Sequence, residues 1–88
     1  MKPFSELREA ASRAAQAEGL SLGEPAGVHD GELIFYAVPP DYEPGMVLGL
    51  PQGFFVDMET GRARYCTTDE SEMLCDRGFL YGLGPVPE

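Results

Sequence analysis

The stretch from Gly53 to Tyr65 constrains the fold more than any other, because it encodes a complete β-hairpin. Asp57 can accept a hydrogen bond from a backbone N–H two residues further on, and Gly61 supplies the positive φ that a four-residue loop needs at its end. The loop is therefore predicted over residues 58–61. This loop sets the cross-strand pairs, which are Phe54 with Tyr65, Phe55 with Arg64, Val56 with Ala63, and Asp57 with Arg62.

Strand side chains alternate between the two sides of a sheet, so this hairpin has two distinct faces. One face is apolar and should enter a core; it consists of Phe54, Val56, Ala63 and Tyr65. The other face offers an Asp57–Arg62 ion pair and an Arg64 side chain over the ring of Phe55. Each of these two contacts contributes roughly 0.2–1 kcal/mol, which favours the predicted register.

One long helix is predicted before the hairpin, over residues 4–18. Ser5 is the expected N-cap and Gly19 the expected end of the helix. An alanine-rich apolar stripe follows one side of this helix and consists of Phe4, Leu7, Ala11, Ala14 and Ala15. The glycine-punctuated segment 20–31 is predicted to be connecting chain, in which Leu20, Leu22 and Val28 could form a short edge strand.

Three further apolar segments are predicted to be strands. Glu32–Val38 is apolar on both alternating faces, which is typical of a strand in the middle of a sheet. A loop at Asp41–Gly45 should lead into a short strand over Met46–Leu50, and the last strand is predicted over Phe79–Leu83.

A short acidic helix is predicted over residues 68–76, because Thr67 precedes Glu70 by the three residues of a capping box. Gly78 should end it. The predicted fold class is therefore α+β in a single domain of residues 1–88. An N-terminal helix should pack on an antiparallel β-meander of about four strands, with the short acidic helix after the main hairpin.

The charge balance limits the partners that the protein can bind. Six Lys and Arg residues stand against 15 Asp and Glu residues, which gives a formal charge of −9. This excess disfavours phosphate backbones and anionic lipids, so we expect neither nucleic acid nor membrane as a partner, whereas a basic protein is compatible. Because no apolar run has the length of a signal or membrane segment, we expect a soluble, cytoplasmic protein.

Motifs for catalysis, cofactor binding and metal binding are missing from the sequence. There is no nucleophile elbow, phosphate-binding glycine loop or paired-histidine zinc motif, and the one histidine, His29, has no paired nucleophile. Cys66 and Cys75 lack metal-ligand spacing and are expected to be buried free thiols, with a disulfide as the alternative. We therefore expect a protein that is not an enzyme and has no catalytic, cofactor or metal residues.

Two acidic stretches are candidates for binding a partner protein. One places an aromatic ring between two carboxylates, and the other is the short helix after the hairpin. The candidate residues are Asp41, Tyr42, Glu43, Asp69, Glu70, Glu72 and Asp76. The alternative function is self-association, in which the apolar edge Phe79–Leu83 pairs across a two-fold axis to form a homodimer.

The run from Leu50 to Gly61, followed by Thr67 and Thr68 before an acidic helix, resembles the immunity-protein 35 (YrhB-like) family. The shared pattern is an apolar strand, Asp57, two variable residues, Thr60 and Gly61. The resemblance implies a bacterial protein that neutralises a toxin by binding it, and assigns only structural roles to the three pattern residues. The same Asp-x-x-Thr-Gly hairpin is also similar to that of PepSY domains, which are extracytoplasmic inhibitors and sensors.

Overall fold

The computed structural model describes residues 1–41 and 51–87. In this part of the chain, four strands form one antiparallel sheet in the order β1-β2-β3-β4. The predicted α+β class, a helix on an antiparallel meander, is confirmed. The elements in chain order are α1 (Phe4–Ala17), β1 (Ser21–His29), β2 (Glu32–Val38), β3 (Gln52–Asp57), β4 (Ala63–Tyr65), α2 (Thr68–Leu74) and α3 (Arg77–Tyr81).

The central hairpin forms as its sequence predicts. Gly61 has a φ of 77°, in the left-handed region. Oδ1 of Asp57 accepts the backbone N–H of Glu59 at 2.8 Å and that of Thr60 at 3.1 Å, which closes the loop. The predicted register is confirmed for the three pairs that link β3 and β4, namely Phe54 with Tyr65, Phe55 with Arg64, and Val56 with Ala63.

Helix α1 covers one face of the sheet, where it forms the main apolar core. Its buried residues share a stripe that contacts side chains of β2 and β3; the core residues are Leu7, Ala11, Ala15, Leu33, Phe35, Phe54 and Val56. Small alanines bring the helix close to the sheet, and the ring of Phe4 stacks on that of Phe35 at 5.9 Å. Burying a Leu, Val or Phe side chain contributes roughly 1.5–3 kcal/mol, so this face supplies most of the stability of the helix.

The N-cap of α1 differs from the prediction. Pro3, and not Ser5, occupies the cap, and no side chain caps the helix. The ring of Pro3 fixes its φ at −61°, and a ψ of 150° makes the residue extended, so that its carbonyl accepts the N–H groups of Glu6 and Leu7. Gly19, with a φ of 71°, follows the end of the helix as predicted.

The segment predicted to be connecting chain that could hold a short edge strand forms the nine-residue edge strand β1, which contains Leu22 and Val28 but not Leu20. It pairs with β2 from Ser21 opposite Val38 to His29 opposite Glu32, with register shifts on both sides of Pro25. A proline is tolerated there because β1 lies at the edge of the sheet. The link to β2 is a two-residue turn with positive φ at Asp30 and Gly31, the conformation that an Asp-Gly pair favours.

The second face of the sheet carries a smaller core of Ile34, Phe55 and Leu74, which the C-terminal helices cover. The predicted strand Phe79–Leu83 is wrong, because residues 77–81 form helix α3. Since β2 is apolar on both faces, this side of the sheet also requires a cover, and helix α3 packs the partly buried Phe79 and Leu80 there. An intersubunit pairing through Phe79–Leu83 therefore has no strand at this position.

The acidic helix begins as predicted but is shorter. Thr67 caps α2 in a complete capping box with Glu70, and the helix ends at Leu74. Asp76 then caps α3 by accepting the N–H of Gly78 at 2.8 Å. Gly78 therefore lies inside the next helix and does not end α2. The predicted strand Met46–Leu50 lies outside the described residues.

Candidate functional site

Helix α2 presents an acidic surface on the side that faces away from the sheet. Leu74 is buried against Ile34 and Phe55, which fixes the inner side of the helix. Asp69 and Glu72, three residues apart on α2, are exposed as the sequence predicts, and so is Asp76, which follows the end of the helix and caps α3. We refer to these three residues as the acidic surface.

The acidic surface is held in a fixed orientation by the start of α2. The Thr67 hydroxyl accepts the N–H of Glu70 at 3.2 Å, and the Glu70 carboxylate accepts the N–H of Thr67 at 2.9 Å. Acidic side chains in the first turn also interact favourably with the helix dipole. These contacts order the backbone of α2 before any partner arrives.

Glu70 differs from the other predicted binding residues, because its carboxylate has a partner within the fold. Arg64 donates to the two carboxylate oxygens of Glu70 at 2.6 and 2.7 Å, and to those of Glu32 at 2.8 and 3.1 Å. The Glu70 side chain is only 17% exposed. The expectation that Glu70 faces solvent for a partner is therefore wrong, and the residue instead ties α2 to β2 and β4.

Arg64, Glu70 and Glu32 form a hydrogen-bonded triad, and these bonds determine its electrostatics. The bonds from Arg64 hold the pKa of the Glu70 carboxyl below its ordinary value, although partial burial acts in the opposite direction. The bonds to Glu70 and then to Glu32 raise the pKa of the Arg64 guanidinium. Arg64 also lies over the ring of Phe55, 4.8 Å from its centroid, as predicted. Arg64 and Glu70 therefore both remain ionised near neutral pH.

The predicted ion pair between Asp57 and Arg62 does not form. The Asp57 carboxylate turns into the hairpin loop, where the N–H groups of Thr60 and Glu59 lower its pKa. Arg62 instead borders a shallow depression of about 480 Å³, which Glu32, Asp57 and Arg64 also line. Both lining carboxylates already accept hydrogen bonds within the chain, so the depression resembles a surface cleft between strands more than a binding pocket.

The other candidate residues of the sequence do not form part of the acidic surface that the structure describes. Asp41 is exposed in the turn after β2. Tyr42 and Glu43 lie outside the described residues. Of the candidates that the structure describes, those that follow the hairpin lie together at α2 and the start of α3.

Tyr81 is an exposed aromatic residue within the segment that the sequence predicts to be the last strand. Its side chain is 85% exposed, while Phe79, Leu80 and Leu83 of the same segment pack on the second core. Helical spacing explains this division, because residues 79, 80 and 83 share one side of a helix and residue 81 does not. The helical period of 3.6 residues is therefore the sequence signal for this exposed ring.

Groups that could carry chemistry are dispersed. His29 is exposed, and its ring meets that of Phe79 edge-on at 4.9 Å. Cys66 is half-buried and accepts the N–H of Gly53 at 3.4 Å, whereas Cys75 is exposed, and both thiols are free. The expectation of two buried thiols is therefore wrong for Cys75. Within residues 1–41 and 51–87, no three His, Cys, Asp or Glu side chains are placed to hold a metal ion.

The described helices are all too short or too polar to cross a membrane. A comparison of the chain with models of known protein families, with curated proteins and with solved structures finds no match in any of the three.

Proposed function

We propose that this protein is a small, cytoplasmic, non-enzymatic binding protein that holds a basic partner protein on the acidic surface of α2. The immunity-protein resemblance of the hairpin makes a bacterial toxin the partner class that we favour. The observation that carries the proposal is the exposure of Asp69 and Glu72 on the outward side of α2, a helix that is fixed from within, with Asp76 exposed just beyond its end. In the described part of the chain, none of the ion pairs uses these three side chains.

A fixed helix supports binding because ordering a surface beforehand reduces the entropy lost on association. The capping box, the buried Leu74 and the Arg64 triad all restrict α2 without using the three outward carboxylates. Asp69 and Glu72 make no ion pair in the described part of the chain and can contact a partner, while the Asp76 carboxylate also caps α3. Complementary charge accelerates association and makes it sensitive to salt.

The test is a quantitative pull-down from lysate of the bacterium that encodes the protein, at low and at high salt. The site variant is Asp69→Asn/Glu72→Gln/Asp76→Asn, in which asparagine still caps α3. The control variant removes the same number of charges from exposed positions elsewhere, Glu18→Gln/Glu24→Gln/Asp30→Asn. We expect a basic protein to be retained at low salt, and less of it to be retained at high salt.

The site variant should lose most of this basic protein, while the control variant should keep it. Equal retention by both variants would place the binding surface elsewhere. If the unaltered protein retains no basic partner at either salt concentration, the proposed function is wrong.

A further inference from the structure

The chain after α3 runs around the open edge of β1 and pairs with it. Val28 donates its N–H to the carbonyl of Gly84 at 3.1 Å, and Gly84 donates its N–H to the carbonyl of Val28 at 2.8 Å. Leu83 packs on the core beneath α2 and α3, whereas Val86 packs on the core beneath α1. Residues 83–87, which we call the clamp, therefore pass from one face of the sheet to the other.

The part of β1 that contacts the clamp has a glycine where the clamp comes closest. Gly27 has a φ of 148°, and a Cβ at this position would lie 2.7 Å from the Cβ of Leu83. Only glycine leaves room for the clamp to approach so closely. We call Gly27 and Val28 the seat. Neither clamp nor seat contains a charged residue, so their fit depends on shape and backbone pairing.

Opening the clamp would take Leu83 and Val86 off the two cores, but the pairing of β1 with β2 involves no clamp residue. The clamp is joined to α3 through Gly82, and its backbone bonds to β1 are the two between Val28 and Gly84. An open clamp would leave the N–H and C=O of Val28 unpaired on a sheet edge, where another extended segment can add. The structure shows one segment that fits this seat, which is the clamp of the same chain. The identical clamp of a second copy would fit it equally well.

We propose that the clamp is exchangeable, so that two copies form a dimer in which each chain places its clamp on the seat of the other. In this dimer each clamp makes the same contacts with the seat of the other chain that it makes with its own. The two copies are therefore related by a two-fold axis and form a closed dimer. This dimer uses the edge of β1 and does not depend on the acidic surface or on the proposed partner.

Concentration and salt decide which arrangement is populated. Within one chain the short tether gives the clamp an effective concentration on the order of millimolar, so the monomer prevails in dilute solution. The charge of −9 on each copy opposes association, and added salt screens this repulsion. We expect exchange in concentrated protein at high ionic strength.

A disulfide trap tests the exchange in the full chain. In a Cys66→Ser/Cys75→Ser background, one sample carries Val28→Cys and an isotope-labelled second sample carries Gly84→Cys. A Cβ on Gly84 would lie 3.6 Å from that of Val28, within the range that a disulfide spans. The two samples are mixed at high concentration and high salt and oxidised, and covalent heterodimers are identified by mass.

The control mixture pairs Val28→Cys with Tyr81→Cys, which places an equally tethered but exposed thiol outside the seat. The trap mixture should give several-fold more heterodimer than the control mixture. A chain carrying both Val28→Cys and Gly84→Cys should close its own disulfide when oxidised in dilute solution. Equal heterodimer yields from the two mixtures would overturn the proposal.

Hydrogen exchange of the unaltered protein gives a second measurement that needs no substitution. If the clamp opens as a unit, the amides of Val28 and Gly84 should exchange together, and faster than the amides that link β2 and β3. If both amides are protected as strongly as the β2–β3 ladder, the clamp does not open separately and the proposal is wrong.

Discussion

Arg64 and Glu70 form a two-bond ion pair across the junction of β4 and α2, with donor–acceptor distances of 2.6 and 2.7 Å. The same guanidinium binds Glu32 of β2, so a single side chain joins three elements of the fold. The pair is partly screened by solvent, because the Arg64 side chain is 43% exposed. Its main effect is therefore to fix where α2 lies and which of its carboxylates face outward.

Replacing Arg64 by glutamine should lower the free energy of unfolding by about 1–2 kcal/mol, because two neighbouring carboxylates then lose their shared cation. Urea unfolding at neutral pH measures the loss. Arg62→Gln is the matched control, since Arg62 lies on the same sheet face without an ion pair among the described residues; it should change stability by less than about 0.5 kcal/mol. Equal losses in the two variants would contradict the structural role of the triad.

Stability should fall in acid partly through Glu70. Because the folded-state pKa of this carboxyl is depressed, its contribution is fully present above the ordinary value of 4.5 and is lost as the pH falls through the folded pKa. Urea unfolding at a series of pH values should show a shallower acid loss in Glu70→Gln than in the unaltered protein. Glu72→Gln, on the exposed side of α2, should keep the original acid loss. Identical profiles for all three proteins would refute the assignment.

Gly61→Val should destabilise the protein by more than about 1 kcal/mol, because a β-branched residue resists the left-handed backbone of the hairpin loop. A Cβ at this position meets only the aliphatic part of Lys2, at 3.7 Å, so the cost is conformational and not a clash. Gly61→Asn, which tolerates this conformation, should lose clearly less. Thermal unfolding compares the two variants, and equal melting temperatures would remove the turn assignment.

Thr67→Ala should weaken the start of α2 and cost about 1 kcal/mol, because the N–H of Glu70 loses its acceptor. Thr67→Ser, which keeps the hydroxyl, is the control. Hydrogen exchange of the Glu70 amide should accelerate in the alanine variant and not in the serine variant. Unchanged protection in both variants would show that the capping box does not order the helix.

Two local features of the fold could be read directly from the sequence. The turn from Asp57 to Gly61 and the capping box of Thr67 with Glu70 join donors and acceptors that are at most four residues apart. Their geometry therefore depends little on the rest of the chain. The Asp30-Gly31 turn belongs to the same class, and its signal was available although the segment before it was interpreted as connecting chain.

The candidate site was predictable only in part. The acids of α2 were identified from the sequence, but the separation of Glu70 from Asp69 and Glu72 was not. That separation depends on Arg64 and on Glu32, which lies 32 residues before Arg64 in the chain. No pattern of neighbouring residues in the sequence indicates which of several carboxylates will form the ion pair with an arginine outside the helix.

The sequence by itself determined the central hairpin and the capped start of α2, because each depends on residues close together in the chain, and its apolar stripe located the long helix that the sheet then stabilises. Only the tertiary structure decided that Phe79–Leu83 is largely helical and that Glu70 is bonded within the fold. The physical reason is that the apolar face formed by Ile34 and Phe55 exists only once β2 and β3 have paired. A segment that must cover this face takes the conformation that buries the most apolar surface, whatever its own preference.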